Sequence, residues 1–433
     1  MMSKNKWEYF TLFLFFTSFI GSRLVQIEFG NYNITPYRLA CVVGLFYIPI
    51  SKKIVPRKSV ISSYYIFLIS WILYSFILFV FVTPDKTGFW ETFFFLLCGT
   101  ISTYYIGTYV RDIDMLKKCF ATIEIASIIP FLFAFYEIFV GEYLFVSSFN
   151  ADYYSLESAA FSSLGMRVPI STFTNPNDFS FMILAVVVSS FILYKTTSNK
   201  KRYFHLAMFI ISLFLVLAAQ SRAAFISVLI CFCIIFCFKY SDFSKSRKRR
   251  YIAMLPLFIA AILWIYSLYQ DIIEPLIMLE LDGGSDQTRT NLIRNGFAFL
   301  ESSYYFGVGL GNIEYYMLHY PVFYTGDILN IHNWWLEILV SSGIGIFSWY
   351  IILYLKLYRR INKCIKLSKK HDYKYVYVLS LSFLFMFAID SMSSSSVARI
   401  ECSWVIMALM FAIPNLNLPQ DHSTLNAKKY YHC

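Results

Sequence analysis

Along this chain, apolar runs long enough to be membrane helices alternate with short polar connections, and only one polar stretch is long. The runs fall at about 7–22, 34–51, 62–83, 89–110, 119–140, 177–194, 203–219, 223–239, 251–270, 333–357, 374–391 and 398–414, near the roughly 20 residues a helix needs to cross a hydrocarbon core of about 30 Å. The pattern predicts an all-α, polytopic membrane bundle of about 12 spans, a single domain over 1–433, with the interval 271–332 as one large loop. The first run is read as a helix rather than a signal peptide, because Gly21-Ser22-Arg23 is a poor cleavage site and a second run follows at once.

Composition agrees with the pattern: 58% of the 433 residues are hydrophobic and only 15% charged, which excludes an ordinary soluble globule. Charge then orients the bundle. With the N-terminus inside, 29 of the 37 Lys and Arg lie on inner segments, so both termini are expected in the cytoplasm and the large loop outside it. The +11 net charge is thereby explained as topology, and no nucleic-acid partner is needed. The eight outer cations are Arg23, Arg38, Lys86, Arg167, Arg222, Arg289, Arg294 and Arg399, nearly all arginine, whose planar fork suits phosphate. Nine cysteines show no disulfide framework, and Cys231, Cys233 and Cys237 sit in an apolar run without a nearby His or carboxylate, so no metal site is expected.

Candidate chemistry concentrates late in the chain. Earlier features have structural readings: Asp112-x-Asp114 as solvated loop residues beside Lys117 and Lys118, and Thr174-Asn175-Pro176-Asn177-Asp178 as a capped helix start. Glu124 lies deep enough in its span to need a partner, whereas Glu137 is near the interface. Arg222 is a lone cation in the short turn Gln220-Ser221-Arg222-Ala223-Ala224, and its small neighbours allow a bulky anion to approach; the plainer reading is a cation snorkelling to the interface.

In the large loop, an acidic glycine turn at 282–286 lacks calcium-ligand spacing, and the pattern from Gln287 to Glu301 is helical. Leu292, Ile293, Gly296, Phe297 and Leu300 share one arc of the wheel; Arg289 lies inside that arc and Arg294 about 140° away. Gly307-Val308-Gly309-Leu310-Gly311 has no strand before it and reads as a flexible turn rather than a dinucleotide loop. At the membrane end stands His332, where a neutral imidazole can take a proton, followed by Asn333, Trp334, Trp335 and Glu337. Asn333 and Glu337 share a helix face, so Glu337 serves the helix start or orients a neighbour, while the tryptophans suit either an interfacial belt or sugar stacking.

QSRAA, TRTNLIRNGF, GVGLGN and IHNWWLEILVSSGIGIF, in that order, resemble the O-antigen polymerase and O-antigen ligase superfamily, and TNPNDFS is also similar to a segment of that group. The resemblance covers about 170–357 of the chain. It implies a GT-C-like, metal-independent, inverting glycosyltransferase of the bacterial cytoplasmic membrane, without cofactor, using undecaprenyl-diphosphate-linked glycans as donor and acceptor. It also implies membrane lipid around the protein, and a flippase and a chain-length regulator as partners. Arg222, Arg289 and His332 match its essential residues, giving two cations for the leaving diphosphate and a general base. Arg294, Asn333, Trp334, Trp335 and Glu337 are expected to bind substrate. A ligase acting on lipid A core or protein is the alternative within the superfamily, and a flippase or transporter the alternative of another class; the chain lacks the matching interrupted halves a transporter predicts.

Overall fold

The computed structural model describes residues 4–29, 32–51, 55, 59–145, 167–241, 285–326, 328–368, 371–394 and 396–416. Helices occupy eleven of the twelve predicted stretches: α1 (Lys4–Phe19), α2 (Pro36–Ser51), α3 (Val60–Phe81), α4 (Lys86–Tyr109), α5 (Ile113–Val140), α6 (Pro176–Thr196), α7 (Arg202–Ala218), α8 (Arg222–Ser241), α11 (Trp334–Leu367), α12 (His371–Asp390) and α13 (Glu401–Ala412). The expected span 251–270 and the glycines of the acidic turn lie outside the described residues. Two further helices, α9 (Ser285–Ser302) and α10 (Ile313–His319), fall within the long polar stretch, and a hairpin pairs β1 (Ile27–Phe29) with β2 (Tyr32–Ile34). By length and apolarity α3, α5, α6, α8, α11 and α12 can each cross a membrane; α2, α7 and α13 contribute shorter apolar segments. The protein is thus an all-α membrane bundle.

Local chemistry sets the helix starts. Asn175 caps α6 by accepting the Asp178 N–H at 2.9 Å, with Pro176 in the first turn. Asp112 caps α5 by accepting the Met115 N–H at 2.8 Å, and Asp114 stands in the first turn against the helix dipole. The Asp-x-Asp pair is therefore a helix start rather than a stretch of solvated loop.

Two helices are apolar on every side and sit inside. α6 packs on α5, α7, α8 and α12, and α13 packs on α1, α3 and α4 with all its residues buried. Ionisable groups within the bundle meet partners. His205 Nδ1 lies 2.6 Å from Glu124 Oε2, joining α5 to α7. Arg38 Nε donates to Glu401 Oε1 at 3.1 Å, tying α2 to α13. Glu137 is buried rather than interfacial in character, and its Oε2 accepts the backbone N–H groups of Ile170 and Ser171 at 2.8 and 2.7 Å.

The longest helix, α11, continues beyond the expected 357 because its basic tail remains helical to Leu367. It is also broken. Gly343 has φ +75 and ψ 176, and the turn after α9 docks into the gap: Val308 and Gly309 N–H donate to Val340 and Ser341 carbonyls at 2.9 and 3.0 Å, and Ile344 N–H donates to Tyr305 O at 3.1 Å. Backbone meets backbone here, so side chains are excluded: a Cβ on Gly307 would lie 2.6 Å from Gly343 N, and one on Gly311 would lie 2.0 Å from Gly88 O. The glycine-rich segment is consequently a tightly packed plug and not the flexible turn expected of it.

Candidate functional site

The site grows from the way α9 closes on the start of α11. Leu292 and Phe299 of α9 join Val308, Ile313, Met317, Ile331, Leu336 and Val340 in a hydrophobic cluster separate from the main core. Gly296 permits the approach, since a Cβ there would stand 2.7 Å from Ile331 Cδ1. On another face, Asn295 accepts the Val322 and Phe323 N–H groups at 3.0 and 2.8 Å and donates to Phe323 O at 2.8 Å, clamping the loop after α10. The expected apolar arc is only half right: Leu292, Gly296 and Leu300 are buried, but Ile293 and Phe297 are exposed.

This closure brings Arg289 within electrostatic reach of His332. His332 sits just before α11 with φ +48, its N–H held by Asn330 Oδ1 at 3.0 Å. Burial and the Arg289 charge push its imidazole down to about 4, with Glu314 of α10 acting in the opposite sense. His332 is therefore neutral at physiological pH, flanked by a cation and a carboxylate.

The cations expected on the outer side divide by what they touch. Arg38 is paired to Glu401, Lys86 donates to Phe79 O at 2.6 Å, and Arg167 donates to Gly141 O at 2.8 Å. Arg399 forks onto Glu314 at 2.9 and 3.1 Å, with Glu91 at 3.9 Å. Arg294 stacks over Phe323, 5.5 Å from the ring centre. Arg289 is exposed, and the group it acts on is His332.

Arg222 opens α8, exposed, after Gln220 at φ +52. Ser227 Oγ donates to Met386 O at 3.2 Å and Phe238 meets Tyr375 at 6.1 Å, so α8 and α12 run antiparallel. That register carries Arg222 to the level of Ser391, whose carbonyl accepts the Trp334 N–H at 2.9 Å. Arg222 thus stands at the same end of the bundle as the start of α11, though the charges felt by His332 are those of Arg289 and Glu314.

The remaining candidates part company. Asn333 caps α11, its Oδ1 accepting the Trp335 and Leu336 N–H groups at 3.1 and 3.2 Å. Trp335 turns to α12, donating to Ala388 O at 3.1 Å. Trp334 and Glu337 instead line a small open cleft together with Trp71, Trp404, Glu314 and Arg399. Sequence reasoning missed Glu314, Trp71 and Trp404 as site residues and did not single out Arg399, because they come from α10, α3, α13 and the residues leading into α13, and only folding assembles them.

Fold and site together define a helical membrane protein with a cation and a neutral histidine beside a polar, aromatic cleft. Residues 207–351 match the family described as O-Antigen ligase, a segment that contains Arg222, Arg289, Arg294, His332 and the residues to Glu337. The chain is also similar to the Teichuronic acid biosynthesis protein TuaE of Bacillus subtilis (strain 168), 24% identical over 418 residues, 92% of this chain and 82% of that protein. The resemblance to the O-antigen polymerase and ligase superfamily is thereby shown.

Proposed function

We propose that this chain is a polysaccharide polymerase, a twelve-span enzyme of the cytoplasmic membrane with both termini inside, which joins undecaprenyl-diphosphate-linked repeat units on the outer face. The observation that carries the reading is the closure of α9 on the start of α11, which sets Arg289 beside a neutral His332. In the proposed step, an acceptor hydroxyl attacks the anomeric carbon of the donor sugar in line. Its proton passes to His332, the new glycosidic bond forms with inversion, and the bond to the lipid diphosphate breaks, its electron pair leaving with the diphosphate. Arg289 and Arg222 stabilise that departing charge, as fixed cations in a water-poor site do best.

Purified protein given undecaprenyl-diphosphate-linked repeat units should produce a ladder of polymers and release undecaprenyl diphosphate. Absence of any transfer under conditions where the lipid substrate binds would sink the reading. A ligase is the second reading, favoured by the description of the matching family. The two separate in cells lacking the protein: loss of a polymerase leaves single repeat units, and loss of a ligase leaves long lipid-linked polymer. A flippase would instead leave repeat units on the inner leaflet.

A further inference from the structure

His332 feels two unlike charges. The Arg289 cation disfavours its protonation and the Glu314 carboxylate favours it; Glu314 also lines the cleft, which is further walled by Asn330, Ile331 and Trp334 from the same stretch as His332, whereas Arg289 does not line it. If the glycosyl-transfer reading holds, the Arg289 cation suits the donor diphosphate. The cleft then needs an occupant.

Its chemistry specifies one. Trp71, Trp334 and Trp404 form a triangle with ring centres 6.1, 6.1 and 6.5 Å apart. Each indole N–H is already engaged, with Ser342 Oγ at 2.7 Å, Tyr350 Oη at 3.3 Å and Ala398 O at 2.8 Å respectively for Trp71, Trp334 and Trp404. The rings are locked, and what they offer a ligand is apolar surface, as the carbon face of a sugar requires. The polar wall is acidic. Arg399 is held by Glu314 and Glu91, and although its charge reaches Glu337 it forms no ion pair with it, so Glu337 faces the cleft with its hydrogen-bonding capacity unfilled. Ser396 Oγ donates to Glu337 Oε1 at 2.7 Å, while Oε2 is shut away from solvent and accepts nothing. A buried acceptor left unmade is costly, so a ligand that brings a donor to it is favoured.

We propose that this cleft binds the terminal sugar of the acceptor, and that it selects a neutral or amino-substituted ring over one bearing a carboxylate. A sugar hydroxyl, ammonium or amide N–H can donate to Glu337 Oε2, whereas the carboxylate of a uronic acid brings only acceptors to a wall whose cation, Arg399, is already engaged by Glu314 and Glu91. The selection acts on the acceptor alone, since the donor diphosphate is assigned to Arg289, which does not line the cleft.

The test uses full-length protein in nanodiscs with three synthetic lipid-linked acceptors, ending in a neutral hexose, a 2-amino sugar and a uronic acid. Binding is followed by tryptophan fluorescence and transfer by product ladder. Wild type should bind the uronic acid acceptor at least about ten-fold more weakly than the other two, the scale of leaving a buried acceptor without a donor. Glu337→Gln should shrink that preference to about three-fold or less and raise the acceptor KM rather than the donor KM. Ser396→Ala, a smaller change, should move the same constants in the same direction. Equal binding of all three acceptors by wild type, or a rise confined to the donor KM in the variants, overturns the acceptor assignment while leaving glycosyl transfer intact. Selective binding without any transfer by wild type would sustain the cleft as a sugar site and defeat the transferase reading instead.

Discussion

Two parts of the molecule treat buried charge in opposite ways. Deep in the bundle, ionisable side chains close on each other: His205 on Glu124 across α5 and α7, and Arg38 on Glu401 across α2 and α13. At the start of α11 the arrangement is looser. Arg289 is exposed and acts on His332 against Glu314, itself forked by Arg399, and Glu337 takes its hydrogen bond from Ser396 rather than from a cation. One oxygen of Glu337 accepts nothing, as is also true of Glu124 and Glu401, but of the three only Glu337 lines the cleft. Closed pairs join helices; an open acceptor at a cleft is free to meet a ligand. What distinguishes Glu337 from Glu124 is therefore its partner and the cleft rather than depth in the membrane, since both are helical carboxylates in the apolar bundle.

The strongest way to break this contrast is to mutate one member of each kind. Arg289→Ala and His332→Ala should each lower polymer formation by about 10²–10⁴-fold, the range for losing a general base or a fixed charge, with insertion and thermal stability unchanged. Long polymer from His332→Ala would remove the base from the scheme. Glu124→Ala should do the reverse: opening a buried pair costs about 3–5 kcal/mol, so folded protein in the membrane falls while turnover per folded molecule persists. Heating detergent-solubilised protein and following its aggregation measures this. If Glu124→Ala abolished turnover at full stability, Glu124 would not be a structural group.

The next effect concerns the mounting of the site. Gly343→Ala places a Cβ 2.4 Å from Phe306 O at a backbone angle of +75°, so it should cost about 1–3 kcal/mol and loosen the plug between α9 and α11. Activity should fall with stability, together, because the same plug positions the residues leading to His332. A stable but inactive variant would mean that the break in α11 serves chemistry directly.

How far this was legible in the sequence follows from the range of the signals. Helix existence is local: apolar runs and caps such as Asn175-Pro176 mark it within a few residues, and the helices lie where those signals put them. Packing between distant segments is not local. GVGLG carries no sign that it will be pressed against Gly343, which lies more than thirty residues on in the chain, and its glycines read as freedom when they are in fact the absence of room. The site divides in the same way. His332 and Arg289 could be chosen because a titratable ring at a membrane mouth and an arginine on an apolar arc are unusual by themselves. Glu314 and Trp404 have ordinary neighbours in sequence, and only the fold sets them beside Glu337. Arg399 was visible as a cation expected on the outer side, but its partners Glu314 and Glu91 were not.

pH sharpens the comparison without mutation. Burial and Arg289 hold His332 down to about 4, so the neutral, proton-accepting form persists in the free protein until the pH falls through that value. The acid limb of kcat/KM should therefore lie near 4, well below an ordinary histidine at about 6.5. Bound diphosphate offsets the Arg289 charge, so the limb of kcat should stand about one unit higher. Stability has the same sign: because the unfolded chain takes up the proton first, the fold loses stability as pH drops from about 6.5 toward about 4. A kcat/KM limb at 6.5 would show that Arg289 and burial do not act on the working base.

The smallest effect is the most discriminating for α9, because Arg289 and Arg294 lie on one helix and are both exposed. Arg294 already has an occupation over the Phe323 ring, whose backbone Asn295 holds, whereas the group Arg289 acts on is His332. Removing a cation that stacks at an exposed site costs about 0.5–1 kcal/mol, so Arg294→Ala should reduce polymer formation only about two- to five-fold. The loss should come from a less firmly held 321–324 loop, and Arg294→Lys should recover part of it, since an ammonium also binds an aromatic face. Lysine at 289 should recover little, because a point charge does not reproduce a fork on diphosphate. Equal losses at 289 and 294, with equal rescue by lysine, would make the two arginines a general basic surface and erase the distinction between a cation in use and a cation held open.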